Sequence, residues 1–491
     1  MEEVLVENYA AEGKSLARKD GKVIFIENVV PGDVVSIRLS KNKKDWAEGY
    51  PIQFKSYSKE RVEPFCQHFG VCGGCQWQML PYQKQLQYKQ QQVIDNLARI
   101  GKIKLPEPFP IAGAVEDIFY RNKLEYTFSN KEFTAHKPAR SSTTSHSVAK
   151  NSVDFSQNDT SLLSAVDSTG GRLTDQPFVN GVLGFHAKGF FDKVVNIEKC
   201  WLQAEPNNRI RNAVREFAWK QKLSFYDYRE HKGFLRNLQI RVCTTGEVMV
   251  NVIFGEDKPT ERNELLEFMK QNLSEITTLL YTINLKKNDS LTDLEPVVYF
   301  GKGYVVERLE DFQFKIGPKS FFQTNTKQAQ RLYEITREFA ELDGSQILYD
   351  LYCGTGSIGM FCSNKTKKII GVDVIEAAIN DAKENALLNN IHHAQFFAGD
   401  VIDICNDGFF SQHGKPDIII TDPPRAGMHE KLLKKILEIE ASTVVYVSCN
   451  PATQARDLSL LDQKYEVSKV QPVDMFPHTH HIENVVQLKR K

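Results

Sequence analysis

The chain has 491 residues, which at ~150 residues per domain suggests about three domains. Lys plus Arg and Asp plus Glu both number 62, so the net charge is zero. That excludes a long basic tail or a globally cationic nucleic-acid binder and leaves room for a local basic groove. Apolar residues at 41% and charged residues at 25% exclude wholesale disorder, and no apolar run reaches the ~18 residues of a membrane span.

The N-terminus, MEEVLVENYAAEGK, is acidic and broken by polar residues, unlike a signal peptide, so a cytoplasmic location is expected. Residues 1–57 read as a small all-β unit: KVIFIENVVPGDVVSIRLS holds β-branched runs broken by a PGD turn. Four basic residues between Arg38 and Lys44 lie on or near one hairpin and suit a solvated edge or an RNA backbone. Nine cysteines in a reducing compartment argue against a disulfide framework. Cys66-x5-Cys72-x2-Cys75 needs a fourth ligand, and Cys200 in NIEKCWL is the best candidate. Four thiolates suit a [4Fe–4S] cluster or zinc, and spacing alone does not separate the two. Cys353 and Cys362 read as packing residues. Residues 81–100 read as a helix, with Pro81 near its start and Gly101 just past its end.

From 106 to 300 short strands and helices mix. Between Ser141 and Thr174, 14 of 34 residues are Ser or Thr, which reads as a flexible surface insertion covering about 135–180. In YRNKLEYTF, Arg121 and Lys123 suit RNA phosphates or a solvated strand edge, and Tyr126 or Phe128 could support a base. From about 301, SFFQTNTKQAQRLYEITREFAEL has a helical pattern. Apolar runs then alternate with helices: ILY, KKIIGVDV, AQFFAGDV, DIIITDPP, TVVYVSCN, ENVVQLK. This is the pattern of a mostly parallel, doubly wound α/β sheet. The chain is therefore divided at 1–57, 58–300 and 301–491.

The strand ends of the last part carry the chemistry. In DLYCGTGSIG, Gly354, Gly356 and Gly359 allow a tight turn and close approach of a nucleotide-type ligand. Asp373 ends the next strand, where a carboxylate can take ribose hydroxyls, and Asp400 ends the third, facing an adenine. Asp422 begins DPPRAG, where Arg425 stands at the position an amino-methylating enzyme would fill with an aromatic. Cys449 follows an apolar strand in a polar SCNP loop, and Glu483 follows in HTHHIENVV. Thiolate and carboxylate on neighbouring strand ends make a nucleophile–base pair. The spacing of His478, His480 and His481 does not fit a metal site on one helix face, so they read as loop or RNA-contact residues.

These residues resemble the RNA uracil-5 methyltransferase family, and in particular its ribosomal-RNA branch with an iron–sulfur cluster. The matching pieces are the N-terminal β unit, the C-x5-C-x2-C set with a distal Cys, FFQTN, DLYCGTG, GVD, TDPPR, SCNP and HxxHIE. The resemblance implies a Rossmann-like class I methyltransferase domain, an N-terminal OB-like β-barrel (TRAM) domain and a central α/β iron–sulfur domain. It implies Cys449 as nucleophile, Glu483 as base, and Gln323, Tyr352, Asp373 and Asp422 as ligands of S-adenosylmethionine. Cys66, Cys72, Cys75 and Cys200 would hold a [4Fe–4S] cluster. The implied substrate is a uridine in RNA, 23S ribosomal RNA ahead of tRNA, with no membrane and no obligate protein partner. The sequence departs from the family in Asp373, where Glu is common, and Ser357, where some members have Asn. The rivals are a cytosine-5 methyltransferase, whose second cysteine is missing from the Thr421–Gly427 loop, and a non-catalytic RNA-binding scaffold, against which Cys449 and Glu483 stand.

Overall fold

The structure is a computed structural model that describes residues 2–10, 13–134 and 181–491. The Ser/Thr-rich insertion lies outside the described residues. Strands β1 (Glu2–Tyr9), β2 (Ser15–Lys19), β3 (Lys22–Ile26), β4 (Val34–Asn42) and β5 (Trp46–Ser56) close a barrel in the order β1-β2-β3-β5-β4. Alternation fills it: Val4, Val6, Ile24, Ile26, Val35 and Ile37 point inward and are buried. Arg38, Lys41, Lys43 and Lys44 are exposed on β4 and the turn after it.

Helix α1 (Tyr82–Asn96) ends in a wider, π-type turn over Leu97–Gly101. Gly101 is thus the last residue of that turn rather than the stop beyond it. A Cβ there would meet the Ala455 carbonyl oxygen at 3.4 Å, an ordinary contact, so space alone does not require a glycine.

The middle of the chain builds one seven-stranded sheet from β6 (Lys123–Ser129), β7 (Val182–His186), β8 (Val194–Asn196), β9 (Leu235–Val242), β10 (Val248–Phe254), β11 (Thr278–Ile283) and β12 (Val297–Phe300). Their order is β12-β11-β10-β9-β6-β7-β8, with β10–β11 the parallel pair. Helices α2 (Asn207–Lys220) and α3 (Pro259–Asn272) contribute Ile210, Val214, Leu265, Leu266 and Met269 to its core. Tyr126 and Phe128, read from sequence as candidate base supports, are wholly buried in this core. Tyr126 Oη bonds to Asn207 and Phe128 packs edge-on to Phe225, so neither meets a substrate.

A hairpin, β13 (Val305–Leu309) and β14 (Phe312–Ile316), leads to α4 (Thr326–Ala340). The second large sheet follows: β15 (Ile347–Leu351), β16 (Lys368–Asp373), β17 (Ala394–Ala398), β18 (Ile418–Thr421), β19 (Thr443–Ser448), β20 (Tyr465–Val473) and β21 (Glu483–Arg490). Their order is β17-β16-β15-β18-β19-β21-β20; the first five are parallel, and β21 runs antiparallel between β19 and β20. The order reverses between β15 and β18, the place where open α/β sheets bind ligands. Helices α5 (Ser357–Phe361), α6 (Glu376–Leu388), α7 (Val401–Ile404), α8 (Asp407–His413), α9 (Glu430–Ile439) and α10 (Pro451–Leu461) connect the strands. Leu348, Ile369 and Ile420 face one core; Tyr349, Ile370 and Ile419 face the other. Burial on both faces is why these strands spell continuous apolar runs. Among the described residues no helix is long and apolar enough to cross a membrane.

Helix α1 is docked on this sheet. Val93 and Leu97 join the core under α9 and α10, and Lys89 Nζ lies 2.6 Å from Asp474 Oδ1, both side chains fully buried. Tyr82 Oη donates to the other Asp474 oxygen at 2.9 Å.

Candidate active site

Three adjacent strands end in carboxylates at the switch point. Asp350 lies on β15, paired with Gly371 of β16 and Ile420 of β18. Asp373 closes β16 and Asp422 follows β18. Burial, with Asp422 and Asp373 nearby, pushes Asp350 up to about 7, and burial raises Asp422 as well. Asp350 Oδ2 accepts from the Gly359 N–H at 2.8 Å, while its Oδ1 is buried without a partner. A cation placed among these groups relieves their mutual repulsion, which fits a sulfonium-bearing ligand. Sequence reasoning passed over Asp350, although DLYCGTG spells it at a strand position that is otherwise apolar.

The glycine loop divides into two roles. Gly354 has φ +53, its N–H donates to Asp373 Oδ2 at 2.9 Å, and a Cβ there would meet nothing within 4 Å. It leaves open space in front of the carboxylates. Gly356, at φ +75, would drive a Cβ to 2.7 Å from Met360 and 2.8 Å from Phe396, so its lack of a side chain serves packing. Asp373 uses its other oxygen to hold the Ile375 N–H. Asp400 caps α7 through the Ile402 N–H at 2.9 Å. Tyr352 has φ +61, and burial, with Asp400 next among the causes, raises its phenol.

Cys449 and Glu483 stand opposite each other, near enough to Asp422 for its charge to act on both. Ser448 pairs with Asn484 across β19 and β21, which brings the next residue of one strand to the preceding residue of the other. Cys449 is half-buried. Burial, then the Glu483 and Asp422 carboxylates, push its thiol up to about 11, and Arg425 opposes them. Glu483 is held well above the usual carboxylate range by burial and Asp422, again opposed by Arg425. Arg425 sits in the DPPR loop, which its own carbonyl ties to Asn450 and Thr453 beside Cys449. His481 is pushed down to about 4 by burial, then by His480 and Arg425, so its imidazole is neutral.

Gln323 lies on the loop before α4, not in the helix that the sequence pattern begins at Ser320. The helix starts at Thr326, capped by the Asn325 side chain. Asn325 Nδ2 also donates to the Met475 carbonyl, so this loop is joined to the segment leading to Glu483. Asn122 Nδ2 holds the Gln323 carbonyl at 2.9 Å. Two residues before Gln323, Phe321 is 72% exposed, an aromatic face that sequence reasoning did not single out.

Cys66, Cys72, Cys75 and Cys200 line one pocket with His68 and Gln78. All nine cysteines are free thiols. Burial pushes Cys72 and Cys75 up to about 12 and raises Cys66 and Cys200. Such a pocket disfavours bare thiolates and accepts them only against a compensating positive group. Among the described residues no three His, Cys, Asp or Glu side chains are placed to hold a metal ion, so the four cysteines share a pocket without forming a metal site. His478, read from sequence as a loop or RNA-contact residue, is buried, and its ring bonds to Gln85 of α1.

The sequence model of the family described as tRNA (uracil-5-)-methyltransferase matches residues 235–491. An uncharacterized RNA methyltransferase of Bacteroides thetaiotaomicron is 51% identical over 483 residues, covering 98% of this chain and 99% of that protein. One from Porphyromonas gingivalis is 45% identical over 489 residues, with 99% of each covered. Among solved structures, the Pyrococcus abyssi tRNA (uracil-54, C5)-methyltransferase in complex with S-adenosyl-L-homocysteine is 26% identical. It covers 99% of this chain and 100% of its own, with a TM-score of 0.72.

Proposed function

The chain belongs to the tRNA (uracil-5-)-methyltransferase family, and from that premise we propose that it moves a methyl group from S-adenosylmethionine to carbon 5 of a uridine in RNA through a transient Cys449–uracil bond. The observation that carries this reading is the facing pair Cys449 and Glu483 beside the Asp422 carboxylate.

Gln323, Tyr352, Asp373, Asp400, Asp422 and the Gly354–Gly356 turn would hold the cofactor. When bound, it supplies an electrophilic methyl group on a positively charged sulfur. Carbon 5 of uracil is a poor nucleophile. Addition of the Cys449 thiolate to carbon 6 forms an S–C bond and leaves an enolate, whose carbon 5 takes the methyl group. Glu483 then removes the carbon 5 proton. The C–H electron pair restores the ring double bond, the S–C bond breaks, and Cys449 leaves as thiolate. Arg425 favours the thiolate at the start. The target base must be out of its stack to reach Cys449, and the exposed ring of Phe321 offers it a stacking face.

Cys66, Cys72, Cys75 and Cys200 would hold a [4Fe–4S] cluster. That all four line one pocket supports a shared group there, and the family resemblance is what points to a cluster ahead of zinc. By resemblance alone, to the ribosomal-RNA branch of the family, 23S ribosomal RNA is the first target. A second reading, a tRNA, is favoured by the Pyrococcus neighbour, which acts on uracil 54 of tRNA.

Mass spectrometry of RNase digests from a deletion strain tests all of this. Expected is the loss of one 5-methyluridine from 23S ribosomal RNA, restored by the parent gene and not by Cys449→Ala. Loss from tRNA would move the target, and restoration by Cys449→Ala would overturn the mechanism.

A further inference from the structure

The segment that carries the cysteines is hydrogen-bonded to the segment that delivers Glu483. The Gln76 and Trp77 N–H groups both donate to the His478 carbonyl, at 2.8 and 3.1 Å. Gln76 Oε1 takes the His480 backbone N–H at 3.4 Å, and His480 Nδ1 lies 2.5 Å from the same oxygen. An amide oxygen only accepts, so the ring N–H donates. Gln76 directly follows Cys75, whose side chain lines the thiol pocket with that of Gln78. The His480 ring packs tilted against that of His481 with centroids 4.2 Å apart, and two residues on, the chain enters β21 at Glu483.

The loop from Asp474 to His481 is also held at its far end and in its middle, where the His478 N–H donates to Gln85 Oε1 and the Thr479 hydroxyl donates to the Phe476 carbonyl. Lys89, Tyr82 and the Phe476 N–H all grip Asp474, and Tyr120 Oη donates to the Pro477 carbonyl. At the Glu483 end, the His480 backbone N–H and ring both bond to Gln76 Oε1, and the His481 N–H donates to the Thr479 hydroxyl. His478 adopts φ +63, a left-handed conformation costly for a residue with a side chain and kept only when its surroundings impose it.

We propose that Gln76 is a positioning residue: it couples the cysteine pocket to the 474–483 loop, so that the order of the pocket sets the placement of Glu483. This rests on the methyl-transfer reading and adds to it that the cysteine set serves the proton-removal step through a defined contact. Glu483 acts after Cys449 has added and carbon 5 has been methylated. A displaced Glu483 therefore leaves uridine capture intact and delays release, and enzyme bound covalently to RNA accumulates.

The test compares the parent chain with Gln76→Met and Gln76→Glu. Gln76→Met removes the acceptor at nearly constant volume, whereas Gln76→Glu keeps an acceptor for His480. Expected for Gln76→Met is a fall in kcat of roughly ten- to hundredfold, the scale of a misplaced catalytic group. KM for RNA stays within about twofold, a denaturant-stable protein–RNA complex appears with ordinary uridine RNA, and amide exchange across 474–483 quickens. Gln76→Glu restores kcat. A folded Gln76→Met with parental kcat and parental exchange would overturn the coupling alone. A parent chain that forms no covalent complex even with 5-fluorouridine RNA would overturn the methyl-transfer reading and this inference together.

Discussion

Cys449 and Glu483 are cross-strand neighbours: the Ser448–Asn484 pair of the β19–β21 ladder brings one strand's exit against the other's entry. An antiparallel insertion beside a parallel strand is what achieves this. The ligand-side end of β19 is where the chain leaves, and only a strand running the other way begins there. Asn484 is locked in turn, its Nδ2 donating to Gln454 Oε1 at 2.7 Å and its carbonyl accepting from Gln454 Nε2. The ladder and this buried amide pair fix the Asn484 side of Glu483, and the 474–483 loop that Gln76 contacts approaches it from the other side.

Glu483→Gln keeps shape and loses the base. Addition of Cys449 and methylation proceed, and release of the carbon 5 proton stalls. Turnover is expected to fall about 10²–10⁴-fold, while a covalent complex with unmodified RNA appears on a denaturing gel. Parental turnover would remove Glu483 from its role.

The thiol of Cys449 is raised to about 11, first by burial and then by the carboxylates of Glu483 and Asp422. A raised thiol is protonated at neutral pH and gains thiolate as pH climbs toward its pKa. Adduct formation with 5-fluorouridine RNA is therefore expected to quicken roughly tenfold per pH unit between 7 and 9 in the absence of the cofactor. Arg425→Gln removes the opposing charge, raises the thiol further and slows adduct formation at every pH in that window. A flat profile for the parent chain would contradict the assignment.

The two glycines of the turn are expected to separate. Gly354→Ala meets no protein atom within 4 Å and pays mainly the left-handed strain of about 1 kcal/mol. The chain should fold and bind S-adenosylmethionine more weakly in calorimetry. Gly356→Ala strikes Met360 and Phe396, so it should lower the melting temperature of the sheet. Equal effects on folding would show that neither faces a ligand.

Much of the sheet was legible in the sequence because parallel strands buried on both faces spell apolar runs, each followed by a polar residue at one edge of the sheet. Asp373, Asp422 and Cys449 are found that way. The reading erred where burial depends on distant partners. Tyr126 and Phe128 alternate with polar residues as a solvated strand would, yet a core from α2 and α3 covers them. His478 looks like a loop residue until Gln85, 393 positions earlier, is seen beside it. The helix start was misplaced by six residues because FFQTN continues the apolar spacing of α4, although Asn325 is a recognisable cap.

The four cysteines make a chemical prediction. Protein purified without oxygen is expected to be brown, with about four irons and matching acid-labile sulfide per chain, and Cys72→Ser should lose both. One equivalent of zinc in a colourless sample would replace the cluster by a single ion.

The Lys89–Asp474 pair spans 385 positions of sequence and joins α1 to the end of β20 with no exposure of either side chain. Burial lowers the Lys89 ammonium below its ordinary range, and Asp474 opposes that shift. A pair of this kind is costly to break from one side, because the remaining charge has no water to return to. Lys89→Met should therefore destabilise the chain by about 3–5 kcal/mol, seen as an earlier unfolding transition in urea. The double substitution Lys89→Met with Asp474→Asn removes both charges while Tyr82 keeps an acceptor, so it should recover a large share of that loss. A double variant no more stable than Lys89→Met would mean that the cost arises from packing under α1, and that the charges themselves contribute little to docking the helix.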